Sequence, residues 1–124
     1  MKLLQLQYRN YKYFLKKSKI KKTYYIYIME TYILKKSTNK GKRFVIIMDN
    51  MKHDFGSSVG KTFVDNRTEK EKLAWEARHR QDKNWNNKHS GIYYSRYLLW
   101  NTPDLKKNIK LLEKKDKVKI KVEI

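Results

Sequence analysis

Short apolar runs bounded by turn-forming residues predict three β-strands soon after residue 30. The runs cover residues 31–34, 43–48 and 51–55. Asp49 and Asn50 separate the second run from the third, and both side chains tolerate the left-handed backbone conformation of a tight turn. We therefore expect an N-terminal meander of three strands.

The last residues of the sequence alternate strictly between apolar and charged side chains. The apolar positions are Val118, Ile120, Val122 and Ile124, with Lys119, Lys121 and Glu123 between them. A period of two is typical of a strand with one buried face. We expect this strand to complete the sheet that the meander begins.

Residues 68–80 are predicted to form the first helix. Thr68 can cap its N-terminus, and Glu71, three residues on, can reach back to form a capping box. The packing face is predicted at Leu73, Ala74, Trp75 and Ala77.

Two more helices are expected before the final strand. Residues 92–100 form an aromatic, apolar segment, and Thr102-Pro103 is predicted to start the third helix because proline fits a first helical turn. The apolar stripe of that third helix is Leu105, Ile109 and Leu112. The predicted fold class is α+β, a small sheet of an N-terminal meander plus a C-terminal strand, packed against about three helices.

The composition points to a single basic domain. The 124 residues carry a formal charge of +19, a field that favours polyanions such as nucleic acid. The excess is mostly lysine, with abundant Asn, Ile and Tyr, as A/T-rich coding DNA also yields. The charge by itself therefore does not identify a partner.

Cysteine is absent, so the chain has neither disulfides nor thiolate metal ligands, as is typical of intracellular proteins. Gln5, Gln7, Arg9 and Asn10 interrupt the apolar residues of the N-terminus. We therefore expect neither a signal peptide nor a membrane span.

Residues 1–28 form a basic leader with eight Lys or Arg residues, six Tyr and no acidic residue. Three interpretations stay open. Leu4, Tyr8, Tyr11 and Leu15 have the spacing of an amphipathic helix. The segment can instead be a disordered basic arm, or it is not translated and the chain begins at Met29, which leaves 29–124 as the single domain.

A glycine-containing stretch at 56–62 ends in Gly-Lys-Thr, as phosphate-binding loops of nucleotide hydrolases do. Three residues separate its glycines where such loops have four, and too little chain is present for their parallel sheet. A plain turn is the favoured interpretation.

The three histidines, His53, His79 and His89, lack the i, i+4 histidine partner of a metal-binding helix. We interpret them as surface or hydrogen-bonded side chains. The sequence thus predicts a protein that is not an enzyme, with no catalytic residue, no cofactor and no metal site.

Cations and aromatic side chains are interleaved between Trp75 and Trp100. Planar side chains can stack on bases while cations bind phosphates. The predicted phosphate contacts are Arg78, Arg80, Lys83, Lys88 and Arg96. The competing interpretation places the aromatic residues, most of the tryptophans included, in the core and leaves the cations as a solvated face.

Several strings resemble a family of small basic proteins encoded by giant DNA viruses. They are Phe55-Gly56, the run 68–79 with Ala77-Arg78-His79, Asn84-Trp85, the run 95–101 with Leu98-Leu99-Trp100-Asn101, Pro103 and Ile109. The family pattern often has Asp and Thr where Thr62 and Val64 stand, and tryptophans where Tyr94 and Tyr97 stand. The resemblance implies a viral source and an A/T-rich genome, and no established activity comes with it.

Two functions follow as hypotheses. The first is a non-catalytic, sequence-independent nucleic-acid-binding accessory protein. The second is a virion structural or adaptor protein that binds an acidic viral protein through the same face. Either would place the protein in the virion or the host cytoplasm.

Overall fold

The computed structural model describes residues 29–124, of which Thr31–Ile124 form one compact unit. The three interpretations of the leader at 1–28 lie outside the described residues.

The described chain has a four-stranded sheet and three helices, which confirms the predicted α+β class. Its strands are β1 (Thr31–Lys36), β2 (Lys42–Met48), β3 (Met51–Ser57) and β4 (Lys119–Glu123). Its helices are α1 (Glu69–His79), α2 (Gly91–Tyr94) and α3 (Leu105–Asp116), with a short 3₁₀ turn at Phe63–Asp65.

The strand order across the sheet is β3-β2-β1-β4. The first three strands are antiparallel, with Asp49 at φ 50° in the predicted turn between β2 and β3. The C-terminal β4 lies parallel to β1, with Tyr32 opposite Ile120. The prediction that the last strand completes the sheet is therefore confirmed.

One face of the sheet packs against α2 and α3. Phe44 and Phe55 stack across β2 and β3 at 5.8 Å between ring centroids, and Phe55 meets Tyr94 of α2 at 6.1 Å. In β4 only the first part of the alternation is buried, because Val122 and Ile124 are exposed. The core therefore ends before the strand does.

The predicted capping box of α1 is present. The backbone N–H of Glu71 donates to the Thr68 hydroxyl at 3.2 Å, and the Glu71 carboxylate accepts from the Thr68 backbone N–H at 3.1 Å. The predicted packing face is wrong, since Trp75 alone is buried while Leu73 is 54% exposed. The helix touches the core through one large side chain.

Helix α2 begins where Gly91 lies against β3. A Cβ at this position would stand 2.4 Å from the Asp54 carbonyl oxygen, so only glycine permits this approach. After Tyr94 the helix widens into a π-turn, Ser95–Leu99, in which the Trp100 backbone N–H donates to the Ser95 carbonyl at 3.1 Å. The predicted helix at 92–100 is thus two kinds of helix in succession.

The third helix begins later than predicted. Asp104 caps α3 by accepting the backbone N–H of Lys106 at 3.0 Å. Pro103 therefore precedes the helix, and Thr102 instead donates its hydroxyl to the fully buried Asn108 at 2.6 Å. An acidic N-cap satisfies the first amides of the helix better than the Thr-Pro pair would.

Candidate nucleic-acid interface

Two of the five predicted phosphate contacts lie beside carboxylates of the chain itself. Arg80 lies 3.7 Å from the carboxylate of Glu76, one helical turn away. Lys88 lies 3.6 Å from the carboxylate of Asp116, whose side chain is 2% exposed. These intramolecular ion pairs reduce the positive charge that each cation offers to a phosphate.

Arg96 is built into the packing. Its guanidinium stacks on Trp85 at 4.2 Å and on Tyr97 at 4.6 Å from the ring centroids. It also donates to the Trp85 carbonyl at 3.2 Å and to the Asn86 side chain at 2.9 Å. Arg96 therefore holds the segment between α1 and α2 against the π-turn that follows α2.

Arg78 and Lys83 are exposed and have no ion pair or hydrogen bond within residues 29–124. Arg78 lines an open cavity beside α1, and the other four predicted contacts do not. The five cations are thus not gathered around this cavity.

The interleaved aromatic residues are mostly core. Trp75, Trp85 and Trp100 are each 8 or 9% exposed, as expected for the tryptophans, and Trp75 stacks on Trp100 at 5.1 Å with an interplanar angle of 11°. Tyr93 and Tyr94 are also buried. These rings leave little face for a base to stack on.

Helix α3 carries a basic face that the sequence analysis did not single out. At 100° per residue, four of its five exposed lysines fall within an arc of about 100°. They are Lys106, Lys107, Lys110 and Lys114. None of them has an ion pair or hydrogen bond from its ammonium group in the described structure. We call this set the α3 lysine face.

The two acidic residues of α3 do not neutralise this face. Glu113 accepts the backbone N–H of Ile120 at 2.8 Å, and Asp116 accepts the Tyr93 hydroxyl at 2.8 Å. Burial, and next the hydrogen bond to Asp116, raise the pKa of Tyr93, so this hydroxyl stays protonated. Both carboxylates are therefore hydrogen-bonded to other parts of the fold.

Helix α1 differs in this respect. Glu76 lies 3.9 Å from the ammonium of Lys72 and 3.7 Å from Arg80, and Glu71 pairs with Arg67 at 2.6 Å. Helical i, i+4 spacing brings Lys72 and Arg80 to Glu76, whereas Arg67 reaches Glu71 from just before the helix. The signal that would have found the α3 lysine face is the i, i+4 spacing of Lys106, Lys110 and Lys114.

The positive field does not depend on the leader. Of the 31 basic residues 23 lie at 29–124, together with all 12 acidic residues, which gives this part a formal charge of +11. The described fold is therefore strongly basic by itself.

The cavity beside α1 has a volume of about 500 Å³. Its walls come from the loop after β3, from α1 and from the region of α2, including Ser95 and Trp100. Its cations are Lys61, Arg67 and Arg78, and Glu71 is the acid among its lining residues. It is an open cleft with both charged and aromatic walls.

The stretch at 56–62 forms one wall of the cavity, but it lacks the geometry of a phosphate-binding loop. The amides of Val59 and Gly60 donate to the Ser57 hydroxyl at 3.3 and 3.1 Å, and the amide of Ser58 donates to the Gly41 carbonyl at 3.1 Å. The loop also follows an antiparallel strand and leads into the 3₁₀ turn. The N–H groups of Ser58, Val59 and Gly60 are already used within the fold, in agreement with the interpretation as a turn.

The far end of this loop is fixed to β2 by Arg43 and Asp65. Two parallel hydrogen bonds join the guanidinium to the carboxylate, one of them from Arg43 Nη2 to Asp65 Oδ1 at 2.9 Å. The Asp65 carboxylate also accepts the Thr62 backbone N–H at 2.9 Å. The hydrogen bond from Arg43 is the main cause that lowers the pKa of Asp65 to about 2.

The histidines belong to no metal-binding group in the described part of the chain. His53 stands 6.0 Å from His89 between ring centroids, and its Nε2 is buried without a hydrogen-bond partner. Burial, and then the proximity of His89, lower the pKa of His53. Residues 29–124 contain no group of three His, Asp or Glu side chains placed to hold a metal ion.

None of the helices within residues 29–124 has the length and apolar character needed to cross a bilayer.

Comparison of the chain with protein-family models, with curated proteins and with solved structures finds no match. The resemblance to proteins of giant DNA viruses therefore stays a prediction.

Proposed function

We propose that this protein is a non-catalytic accessory protein that binds nucleic acid without sequence preference. The observation that carries the proposal is the α3 lysine face, four exposed ammonium groups on one side of a helix with no carboxylate partner in the described structure. Lysine side chains on a regular ridge contact phosphates, which are the same in every sequence.

The length of the ridge supports this function. Lys106 and Lys114 lie eight residues apart, which is about 12 Å along a helix. Over that distance a duplex presents about seven phosphate charges, counting one per 1.7 Å of its axis. Several lysines can therefore contact one duplex at the same time.

Two cations from the sequence prediction, Arg78 and Lys83, extend the proposed contacts, because both are exposed and free of carboxylate partners within residues 29–124. Arg80, Lys88 and Arg96 contribute less, since their charged groups already have partners in the fold.

The test compares two triple variants of equal net charge. One replaces Lys106, Lys110 and Lys114 by Gln, and the other replaces the ion-paired Lys35, Arg80 and Lys121 by Gln. Binding to a 20-base-pair duplex is measured between 50 and 200 mM salt. We expect the wild type to lose affinity steeply with salt, and the first variant to lose up to about three units of the log–log slope, at about 0.9 per contact.

The control variant should keep most of the affinity and of the slope. If both variants lose affinity equally, net charge and not the α3 lysine face governs binding. If the wild type shows no salt dependence, the proposal is wrong. An acidic protein that stays bound to the chain after nuclease treatment favours the alternative of an adaptor.

A further inference from the structure

The cavity beside α1 has an apolar side that is suited to a planar group. Trp75, Trp100 and Ile92 line it together with the exposed Ala74, and the His79 ring lies 4.6 Å from Trp75 between centroids. The tryptophans are packed against one another, so the half-exposed His79 ring and the small Ala74 side chain form its accessible part. A flat, weakly polar ligand group fits such a wall.

The cavity also has cationic lining residues. Arg67 is paired with Glu71 at 2.6 Å, which leaves Lys61 and Arg78 without a carboxylate partner among residues 29–124. Two uncompensated cations match the charge of a phosphomonoester, which is −1.5 to −2 at neutral pH. Arginine in particular binds phosphate through two parallel N–H donors.

The cavity is large enough for more than the anion. Its volume of about 500 Å³ lies within the range of small-molecule sites, about 300 to 1,000 Å³. A phosphate next to Lys61 and Arg78 would leave room for a ring system along His79 and Ala74. A ligand that joins a phosphomonoester to a planar ring matches both the cationic and the apolar lining residues.

We propose that this cavity binds a nucleotide, with its phosphate at Lys61 and Arg78 and its base against His79, Ala74 and Ile92. This inference goes beyond the proposed function. The two share Arg78, but no residue of the α3 lysine face lines the cavity. The nucleotide is either free or the 5′-phosphorylated end of a nucleic acid, since both present the same chemistry.

The first test titrates the isotope-labelled full chain with 5′-AMP and follows amide chemical shifts. We expect saturable shifts for residues that line the cavity. Adenosine and inorganic phosphate should each bind at least about tenfold more weakly, because adenosine lacks the phosphate and inorganic phosphate lacks the base. If inorganic phosphate bound as tightly as 5′-AMP, the base would contribute nothing to binding and the proposal would be overturned.

Matched variants locate the site. Arg78→Gln should weaken 5′-AMP binding at least about fivefold, whereas Arg80→Gln, outside the cavity, should not. Ala74→Leu should fill the cavity and abolish binding, whereas Ala77→Leu, an exposed alanine of the same helix that does not line the cavity, should leave it intact. Equal effects of a variant and its control would overturn the proposal, and the Arg78 pair decides if Ala74→Leu fails to fold.

Two further probes define the ligand. A 5′-phosphorylated oligonucleotide that displaces 5′-AMP identifies the nucleic-acid end as the source, while one that does not identifies the free nucleotide. O-Phospho-L-tyrosine also joins a phosphate to a ring, and tighter binding of this probe would overturn the assignment to nucleotides. The triple lysine variant of α3 should bind 5′-AMP as the wild type does, so failure of the duplex interface and failure of this site are separate results.

Discussion

Tyr93 donates its hydroxyl to both carboxylate oxygens of Asp116, at 2.9 and 2.8 Å, and thereby joins α2 to the last residue of α3. The Asp116 side chain is 2% exposed, and Lys115 donates to the same hydroxyl at 3.0 Å. The contact is the centre of a buried polar cluster between the two helices. A buried carboxylate that loses a hydrogen bond keeps its desolvation cost.

Replacing Tyr93 by Phe should therefore lower the free energy of unfolding by about 1.5 to 3 kcal/mol. Urea denaturation followed by far-ultraviolet circular dichroism measures it. The control is Tyr97→Phe, because Tyr97 packs on Tyr93 at 4.7 Å but its hydroxyl has no hydrogen bond among the described residues. The control should change stability by less than about 0.5 kcal/mol, and equal losses would contradict the role of Asp116.

Arg96→Gln should lower the free energy of unfolding by more than it lowers the free energy of duplex binding. The change removes the stacking on Trp85 and the hydrogen bond to the Asn86 side chain, which together are worth about 1 to 2 kcal/mol. Lys83→Gln, at an exposed position without a partner in residues 29–124, should leave stability within about 0.5 kcal/mol. Thermal unfolding and duplex binding of both variants separate a structural arginine from a phosphate contact.

The pair of Arg43 and Asp65 makes stability depend on acid pH. The pKa of Asp65 is lowered to about 2 from 3.8, so the folded state holds the carboxylate ionised where the unfolded chain already binds a proton. The contribution is fully present above about pH 4 and is lost as the pH falls through about 2. With both side chains about a quarter exposed, we expect about 1 to 2 kcal/mol.

Asp65→Asn isolates this contribution. Its stability should fall below that of the wild type by this amount at pH 6, and the difference should shrink between pH 4 and pH 2. Urea denaturation of both proteins across that range measures it. A difference that stays constant with pH would show that the ionised state of Asp65 does not contribute.

Gly91→Ala tests the contact between α2 and β3. The new methyl group would stand 2.4 Å from a backbone carbonyl, which cannot move like a flexible side chain, so we expect a loss of about 2 to 3 kcal/mol. Gly60→Ala is the control, since its nearest neighbour is the exposed Ser57 side chain at 3.3 Å. Denaturation midpoints of the two variants should differ clearly, and coincident midpoints would mean that α2 can shift away from the strand.

The sequence predicted correctly those elements of the fold that depend on interactions between neighbouring residues only. Thr68 and Glu71 form their capping-box hydrogen bonds within one helical turn. The turn at Asp49 and Asn50 requires only residues that tolerate the left-handed backbone conformation. The predicted start of α3 was wrong because Asp104, and not Thr102-Pro103, caps the helix. The Thr102 hydroxyl instead donates to Asn108. Asn108 donates to the Leu98 carbonyl at 2.9 Å, at the end of the π-turn, which local patterns do not encode.

The candidate site was harder to predict from the sequence, because carboxylates and aromatic rings distant in the chain determine whether a cation is free to bind phosphate. Arg96 and Lys88 look alike in sequence, yet Arg96 lies between two aromatic rings and Lys88 faces a carboxylate 28 residues further along the chain. The α3 lysine face, in contrast, follows from helical spacing once Glu113 and Asp116 are known to be hydrogen-bonded to other parts of the fold.

All three tryptophans of the chain lie in one cluster, in which Trp75 stacks on Trp100 at 5.1 Å and lies tilted to Trp85 at 5.8 Å. Intrinsic fluorescence excited at the indole band therefore reports on a single corner of the molecule, next to the cavity. It does not report directly on β4 or on the lysine-bearing helix, because neither contains a tryptophan. Kinetic studies that rely on indole emission will record when this corner assembles, and only a second, backbone-sensitive signal will tell whether the sheet forms at the same time.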